Sequence, residues 1–255
     1  MTSHDFYILV TQAGAKGLAL CQQIREKGGQ AVHFPTIDFV SLTHTPPFQQ
    51  ALALLPEQDW IIFNSPQAVA ESLPFPLPSH CQLAAVGAST ASALQAAGYQ
   101  DIIFPADNWC SEGLLAMPAF QGLENKKIAI IRGEGGREYL AQTLRERGAT
   151  VLPVLAYRRV LAKSMNEEVL SLLQKTVIKA TVCTSYEAVL NLKILLGASF
   201  WPMLFKIPLI VVSERIKILA HDLGFQTIWV ARNASHPSIL ELLAEKGFYD
   251  RTNHH

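Results

Sequence analysis

Charge is scarce in this sequence: 16% of its 255 residues are Asp, Glu, Lys or Arg, and 21 basic side chains meet 21 acidic ones. A net charge of zero argues against a nucleic-acid-coating surface, and a hydrophobic share of 49% argues against a disordered chain. Cysteine is sparse as well. Cys21, Cys81, Cys110 and Cys183 lie far apart with no C-x-x-C pair, which speaks against a zinc site or a disulfide framework and predicts reduced, mostly buried thiols. The histidines make no H-E-x-x-H pattern, and His254-His255 read as a terminal tail, so no metal site is expected. No serine sits in a G-x-S-x-G elbow, which removes the best signal for a hydrolase triad. The aromatic residues are not interleaved with basic ones, so no nucleic-acid partner is expected. The start of the chain has no cationic segment followed by a long apolar run: polar Met1–Asp5 leads straight into Phe6–Val10, and the expected compartment is cytoplasmic. Ile194 to Val212 is mostly apolar, but Lys206 interrupts it and Gly197, Pro202 and Pro208 break helical continuity. A buried loop feeding a strand is expected there, and no membrane span.

What the chain has in abundance is short β-branched runs separated by helix-length segments. Ten runs read as strands: Tyr7–Thr11, Ala31–Phe34, Trp60–Asn64, Leu83–Gly87, Asp101–Phe104, Lys127–Arg132, Thr150–Leu155, Ala180–Thr184, Leu209–Val212 and Thr227–Ala231. They are nearly continuous in apolar side chains, as parallel strands covered on both faces are. Helical patterns fill the gaps, for instance at Gly17–Lys27, Pro66–Leu73, Arg137–Arg147 and Tyr186–Leu195. The fold class is α/β.

The chain repeats itself. Ile24–Gly28 resembles Leu144–Gly148, and Ile62-Phe63-Asn64-Ser65-x-x-Ala68-Val69 matches Val182-Cys183-Thr184-Ser185-x-x-Ala188-Val189. Two copies of a five-strand unit predict two lobes, each of ordinary domain size. The second strand of each copy runs on through a proline, Pro35 and Pro153, and these extensions are the expected connectors. The pattern leaves open whether each copy builds its own lobe or the copies exchange halves.

Ligands of open parallel sheets bind at the carboxyl ends of the strands. Here those ends are small and polar: Thr11–Gly14, Asn64-Ser65, Gly87–Thr90, Arg132–Arg137, Thr184-Ser185, Ser213–Arg215 and Arg232–Ser235. Nearly all precede helices, where hydroxyls either cap the helix or, with free N–H groups, hold an anion. Seven such loops together point towards a polyanionic ligand. Arg132-Gly133-Glu134-Gly135-Gly136-Arg137 lacks the Lys-Ser/Thr of a phosphate loop and the G-x-G-x-x-G spacing of a dinucleotide site. Its arginines either fork onto a carboxylate or pair with Glu134 or Glu138. Tyr157 ends a strand at a connector beside Arg158 and Arg159, where a phenol could face a cleft between the lobes as a proton donor, or merely pack at a hinge.

In order and spacing these segments resemble the uroporphyrinogen-III synthase family. The likeness is carried by F-x-S-x-x-A-V at Phe63–Val69, V-G-x-x-T-A at Val86–Ala91 and R-G-x-x-x-R-E at Arg132–Glu138. It continues in Y-R after the Gly148-to-Tyr157 strand, Thr184-Ser185 and S-x-R at Ser213–Arg215. The resemblance implies two flavodoxin-like lobes, each a five-stranded parallel sheet flanked by helices, joined by a two-stranded connector with exchanged halves. It assigns residues 1–36 plus 160–255 to one lobe, 40–156 to the other, and 36–40 and 156–160 to the connectors.

The implied activity is a dehydrating cyclisation of the eight-carboxylate linear tetrapyrrole hydroxymethylbilane, with inversion of ring D, by a monomer without a cofactor. The resemblance also allows a transient hand-over from the preceding pathway enzyme. Tyr157 is the implied general acid. The implied substrate-binding residues are Asn64, Ser65, Gln67, Ser89, Thr90, Arg132, Gly133, Arg137, Thr184, Ser185, Ser213 and Arg215. Gln67 stands where some relatives have arginine, and Arg215-Ile216 where some have a threonine pair. The alternatives are a non-catalytic two-lobed module for anionic small molecules and, less favoured without a diphosphate signature, a sugar-nucleotide transferase.

Overall fold

Strand and helix alternate along almost the whole chain. The computed structural model describes residues 6–163 and 166–249; His254 and His255, read above as a tail, lie outside the described residues. The chain forms β1 (Tyr7–Val10), α1 (Gly14–Glu26), β2 (Ala31–His33), β3 (Ile37–Ser41), α2 (Pro46–Ala53), β4 (Trp60–Phe63), α3 (Pro66–Ser72) and β5 (Gln82–Ala85). It continues through α4 (Ala88–Ala96), α5 (Ser111–Ala116), β6 (Lys127–Gly133), α6 (Tyr139–Glu146), β7 (Thr150–Leu161) and α7 (Glu167–Gln174). The last elements are β8 (Ile178–Val182), α8 (Tyr186–Phe200), β9 (Leu209–Val211), α9 (Glu214–Asp222), β10 (Ile228–Val230) and α10 (His236–Glu245). Two compact units result: the described residues up to Asp38 with those from Val160 onward, and Phe39–Arg159.

The first unit carries a sheet in the order β10-β9-β8-β1-β2, with parallel pairing throughout. Side chains alternate across it. Ile8 and Val10 pack among Leu20, Ile24, Ile239 and Leu243, while Leu9 meets Val189, Leu192 and Phe225 on the other face. Because helices seal both faces, every β1 position from Ile8 to Val10 is buried, which is why the strand reads as an unbroken apolar run. Each such side chain stabilises the fold by about 1.5–3 kcal/mol relative to exposure.

The second unit's sheet runs β3-β7-β6-β4-β5, with β7–β6, β6–β4 and β4–β5 parallel. Ile61 and Phe63 pack against Ala68, Val69 and Leu94, and Trp60 and Ile62 against Leu114, Leu140 and Leu144.

Three expectations are corrected. Asp101–Phe104 is not a strand: only Ile103 bridges to Ala84, because Asp101 turns the chain into the left-handed region (φ 54°) and Pro105 has no N–H to extend a ladder. The fifth place in that sheet belongs to β3 at the opposite edge. Tyr157 does not end its strand, since β7 continues to Leu161 alongside β3, with Leu42 N–H donating to Ala156 O at 2.9 Å. The apolar stretch from Ile194 begins not as a loop but inside α8; the helix is broken at Gly197 (φ 58°), as its sequence suggests, and a further helical segment and a 3-10 turn at Trp201–Leu204 lead into β9. Among the described residues no helix is long and apolar enough to cross a membrane.

The four cysteines are free, and all but Cys110 are buried. Burial pushes the Cys21 thiol up to about 11 and the Cys183 thiol up to about 12.

Candidate active site

In the second unit, the carboxyl ends of β4 and β6 and the middle of β7 meet at a cavity of about 150 Å³. Its wall is made by Asn64 and Ser65, the loop Arg132–Arg137, Tyr157 and Arg159. A break in the β6–β7 register shapes it: Arg132 pairs with Leu155, but Gly133 pairs with Tyr157. The bulge turns the Glu134 N–H onto Tyr157 O at 2.7 Å and brings the Gly133 backbone against the phenol ring. A Cβ at position 133 would lie 2.7 Å from two ring carbons and 3.0 Å from the hydroxyl. Glycine is therefore required for close approach. Phe39 meets the ring edge-on at 5.4 Å, and the Tyr157 hydroxyl lies 3.0 Å from Ser65 Oγ. Tyr157 is 3% exposed and is among the residues that line the cavity.

The arginines have protein partners. Arg132, only 5% exposed, pairs with Glu138 (Nη1 to Oε1, 2.9 Å), and its Nη2 donates to Gly135 O. That contact holds a loop whose Gly135 and Gly136 both have positive φ, 76° and 91°. Arg137 pairs with Glu112 at 2.9 Å. Arg158 grips Glu134 through two hydrogen bonds, which hold the Glu134 carboxyl below the usual carboxylate range. Asn64 Oδ1 is buried without a hydrogen-bond partner.

Other sequence-predicted residues lie elsewhere. Gln67 donates from Nε2 to Glu71 Oε1 at 2.7 Å along α3 and does not line the cavity. Ser89 is exposed and Thr90 buried in the first turn of α4; neither lines this cavity. In the first unit, Ser185 caps α8 by accepting from Ala188 N–H (3.0 Å), and Ser213 caps α9 by accepting from Ile216 N–H (3.4 Å). Thr184 is half-buried beside Ser185. Arg215 is exposed, with its guanidinium carbon 5.8 Å from the centre of the Tyr186 ring.

Sequence reasoning missed the pairing of Arg137 with Glu112 across 25 positions, because nothing in spacing links them. It also missed a polar cluster at the carboxyl end of β1. There His236 lies 3.2 Å from Gln12 Oε1 and 3.0 Å from Gln23 Oε1, and His33 Nε2 lies 2.7 Å from Gln12 O. The polar strand end Thr11–Gly14 marks one part of it, and Gly17 is a further local signal, since a Cβ there would lie 2.2 Å from Gln12 O and 2.3 Å from His33 Nε2.

Comparison with known proteins gives a consistent result. The model of a family described as HEM4, uroporphyrinogen-III synthase HemD, matches residues 19–241. The uroporphyrinogen-III synthase of Escherichia coli K12 is 35% identical over 248 residues, covering 92% of this chain and 99% of the relative. That of Salmonella typhimurium is 34% identical over 252 residues, with the same coverage. Among solved structures, uroporphyrinogen-III synthetase from Helicobacter pylori superposes with a TM-score of 0.62 at 16% identity, covering 94% of this chain and 99% of that one. A mutant uroporphyrinogen III synthase from Thermus thermophilus gives 0.55 at 16% identity, covering 93% and 97%. At that identity the structures speak for the fold alone.

Proposed function

This chain belongs to the uroporphyrinogen-III synthase family, and from that premise we propose how its residues carry the reaction. The activity is that of a lyase-type enzyme of tetrapyrrole biosynthesis. Its substrate is hydroxymethylbilane. The hydroxymethyl C–O bond breaks with electron release from the pyrrole nitrogen, and the departing hydroxide takes a proton and leaves as water. Ring D then attacks the resulting methylene cation through its substituted carbon. The spiro intermediate reopens by breaking that carbon's bond to the neighbouring bridge, and the bridge rejoins the ring at its free α-carbon. That α-carbon loses a proton, which balances the one given to hydroxide, and the ring is incorporated inverted. Because the free bilane closes spontaneously to the other isomer, the protein's main contribution is orientation, with proton delivery as the second.

Tyr157 is the proton donor in this reading, and the observation that carries it is its place in the wall of the cavity at the strand ends, with its hydroxyl hydrogen-bonded to Ser65. General acid catalysis of this kind contributes about 10²–10⁴-fold. Since Arg132, Arg137 and Arg158 already have carboxylate partners, substrate carboxylates would be held mainly by backbone N–H groups of the glycine loop and by hydroxyls. Asn64 Oδ1, an acceptor with no protein donor, suits a pyrrole N–H. Thr184, Ser185, Ser213 and Arg215 are the corresponding binding residues of the first unit, and Gln67, Ser89 and Thr90 complete the set on the second.

We read β3 and β7 as the connectors at which the two halves exchange. What supports this is that β1 and β2 pair with β8–β10, whereas β6 and β7 pair with β4 and β5. Free thiols suit a cytoplasmic location, and a labile substrate suits direct hand-over from the enzyme that makes it.

The test is isomer analysis. Supplied with hydroxymethylbilane, the protein is expected to yield uroporphyrin III after oxidation; isomer I at the level of a protein-free control would favour the non-catalytic binding module instead. Tyr157→Phe is expected to slow isomer III formation at least tenfold with the fold retained. An unchanged rate would remove the acid role.

A further inference from the structure

Ser65 has two neighbours at its hydroxyl. Its Oγ accepts from the Ala68 backbone N–H at 3.1 Å, and it lies 3.0 Å from Tyr157 Oη. An amide N–H can only donate, so one acceptor position of Ser65 is committed to α3, and its own O–H remains available to donate to the phenol. While Tyr157 keeps its proton, either hydroxyl can donate. Once that proton has gone to a leaving hydroxide, the phenolate oxygen only accepts, and the Ser65 O–H, 3.0 Å away, can turn to donate to it. The ring has little freedom to turn away, since the Gly133 backbone closes one side and Phe39 meets it edge-on at 5.4 Å.

We propose that Ser65 is a positioning residue for Tyr157: its hydroxyl fixes the phenol and stabilises the phenolate left by proton donation, instead of holding a substrate carboxylate. The proposal rests on the reading of Tyr157 as general acid. It differs from the role that the family resemblance gives Ser65, because a hydroxyl engaged by Ala68 and Tyr157 at once has little left for a ligand. A hydrogen bond to the charged form favours that form, and a donating Ser65 would do this for the phenolate. The titratable and charged residues Arg132, Arg137, Arg159 and Glu134, which share the cavity wall, are unchanged by substitution at 65.

The variants are Ser65→Gly, which removes the hydroxyl at a cap position where glycine is well tolerated, and Ser65→Thr, which restores it. The phenol is followed by NMR of protein labelled at the tyrosine ζ-carbon, with Tyr157→Phe assigning the signal. In Ser65→Gly the Tyr157 titration is expected about one pH unit higher, equivalent to a tenfold change in proton affinity. kcat is expected to fall about tenfold with KM within about twofold, and Ser65→Thr to recover both. A Ser65→Gly titration that coincides with the parent overturns the proposal, as does a rise in KM alone, which a carboxylate-binding serine would give. The acid reading fails separately, if Tyr157→Phe leaves kcat unchanged while the titration in Ser65→Gly still moves.

Discussion

At the scale of single residues, geometry separates groups that the sequence could only place side by side. Arg132 and Arg137 flank the same glycine-rich loop, yet one is buried against Glu138 and the Gly135 carbonyl and the other is exposed against Glu112. Local spacing could suggest the first pairing but not the second, which spans 25 positions. Gly133 is the sharper case. Its missing Cβ is filled by the Tyr157 ring at 2.7 Å, so Gly133→Ala must displace either the ring or the bulge. The expected outcome is a loss of isomer III formation of about tenfold or more, comparable to Tyr157→Phe, with about 1–3 kcal/mol lost in stability from overpacking. Steady-state kinetics and urea unfolding check it, and parent-like kinetics would show that the ring's placement is immaterial. His236 offers a pH prediction. Burial, aided by the Lys16 charge, holds its imidazole below the ordinary value of 6.5. The unfolded chain therefore takes up a proton first as pH falls. Stability should decline as pH drops through about 6.5 and level off below the folded-state value. In His236→Asn that part of the decline should vanish, measured as urea midpoints at about pH 7.5 and 5.5; equal declines in both proteins would sink the prediction.

At the scale of elements, starts were more legible than ends. Ser65, Ser185 and Ser213 were read as caps or anion ligands, and each accepts from the third amide beyond it. A cap of this kind is written within four residues, so local sequence suffices to see it. Helix ends depend on more distant conditions. The apolar pattern of α8 points to a stop at Leu195, and the regular helix does break two residues later, where Gly197 takes non-helical dihedrals (φ 58°, ψ −173°); the short helical segment that follows to Phe200 has no such local signal. Asp101–Phe104 failed as a strand for the converse reason: its composition suits a sheet, but Asp101 and Pro105 restrict pairing to one residue. The bulge opposite Tyr157 had no local signature beyond a glycine. Ser235 tests the capping argument away from the cavity, since its side chain accepts from Ser238 N–H at the start of α10. Ser235→Ala is expected to cost about 1 kcal/mol and Ser235→Asp much less. Denaturant midpoints with an unchanged slope would show this, and equal loss in both variants would mean that packing, and not the cap, holds the helix end.

At the scale of the whole molecule, the internal repeat announced two five-stranded sheets, but periodicity has no means of saying which strands share a sheet. Pairing does. β1 lies between β2 and β8, with Leu9 opposite Val32 on one side and Thr181 on the other, so residues more than 140 positions apart form one hydrogen-bonded ladder. Their side chains enter one core: Ile8, Val10, Ala180, Val182 and Ile210 are buried together beneath α1 and α10. Such a sheet should open as one cooperative body, whatever the order of its strands in the chain. Ile210→Val removes one methylene from that core and is expected to cost about 1 kcal/mol. In hydrogen exchange followed by mass spectrometry, the slowest amides of β1, β2, β8, β9 and β10 should then exchange about fivefold faster. Those of β4, β5, β6 and β7 should keep their rates, because their own core of Ile62, Ile128, Ile130 and Leu144 is untouched. Faster exchange in β8–β10 with β1 and β2 unmoved would mean that the amino-terminal strands are not part of the same cooperative sheet, and the exchange of halves between the two copies would fall with it.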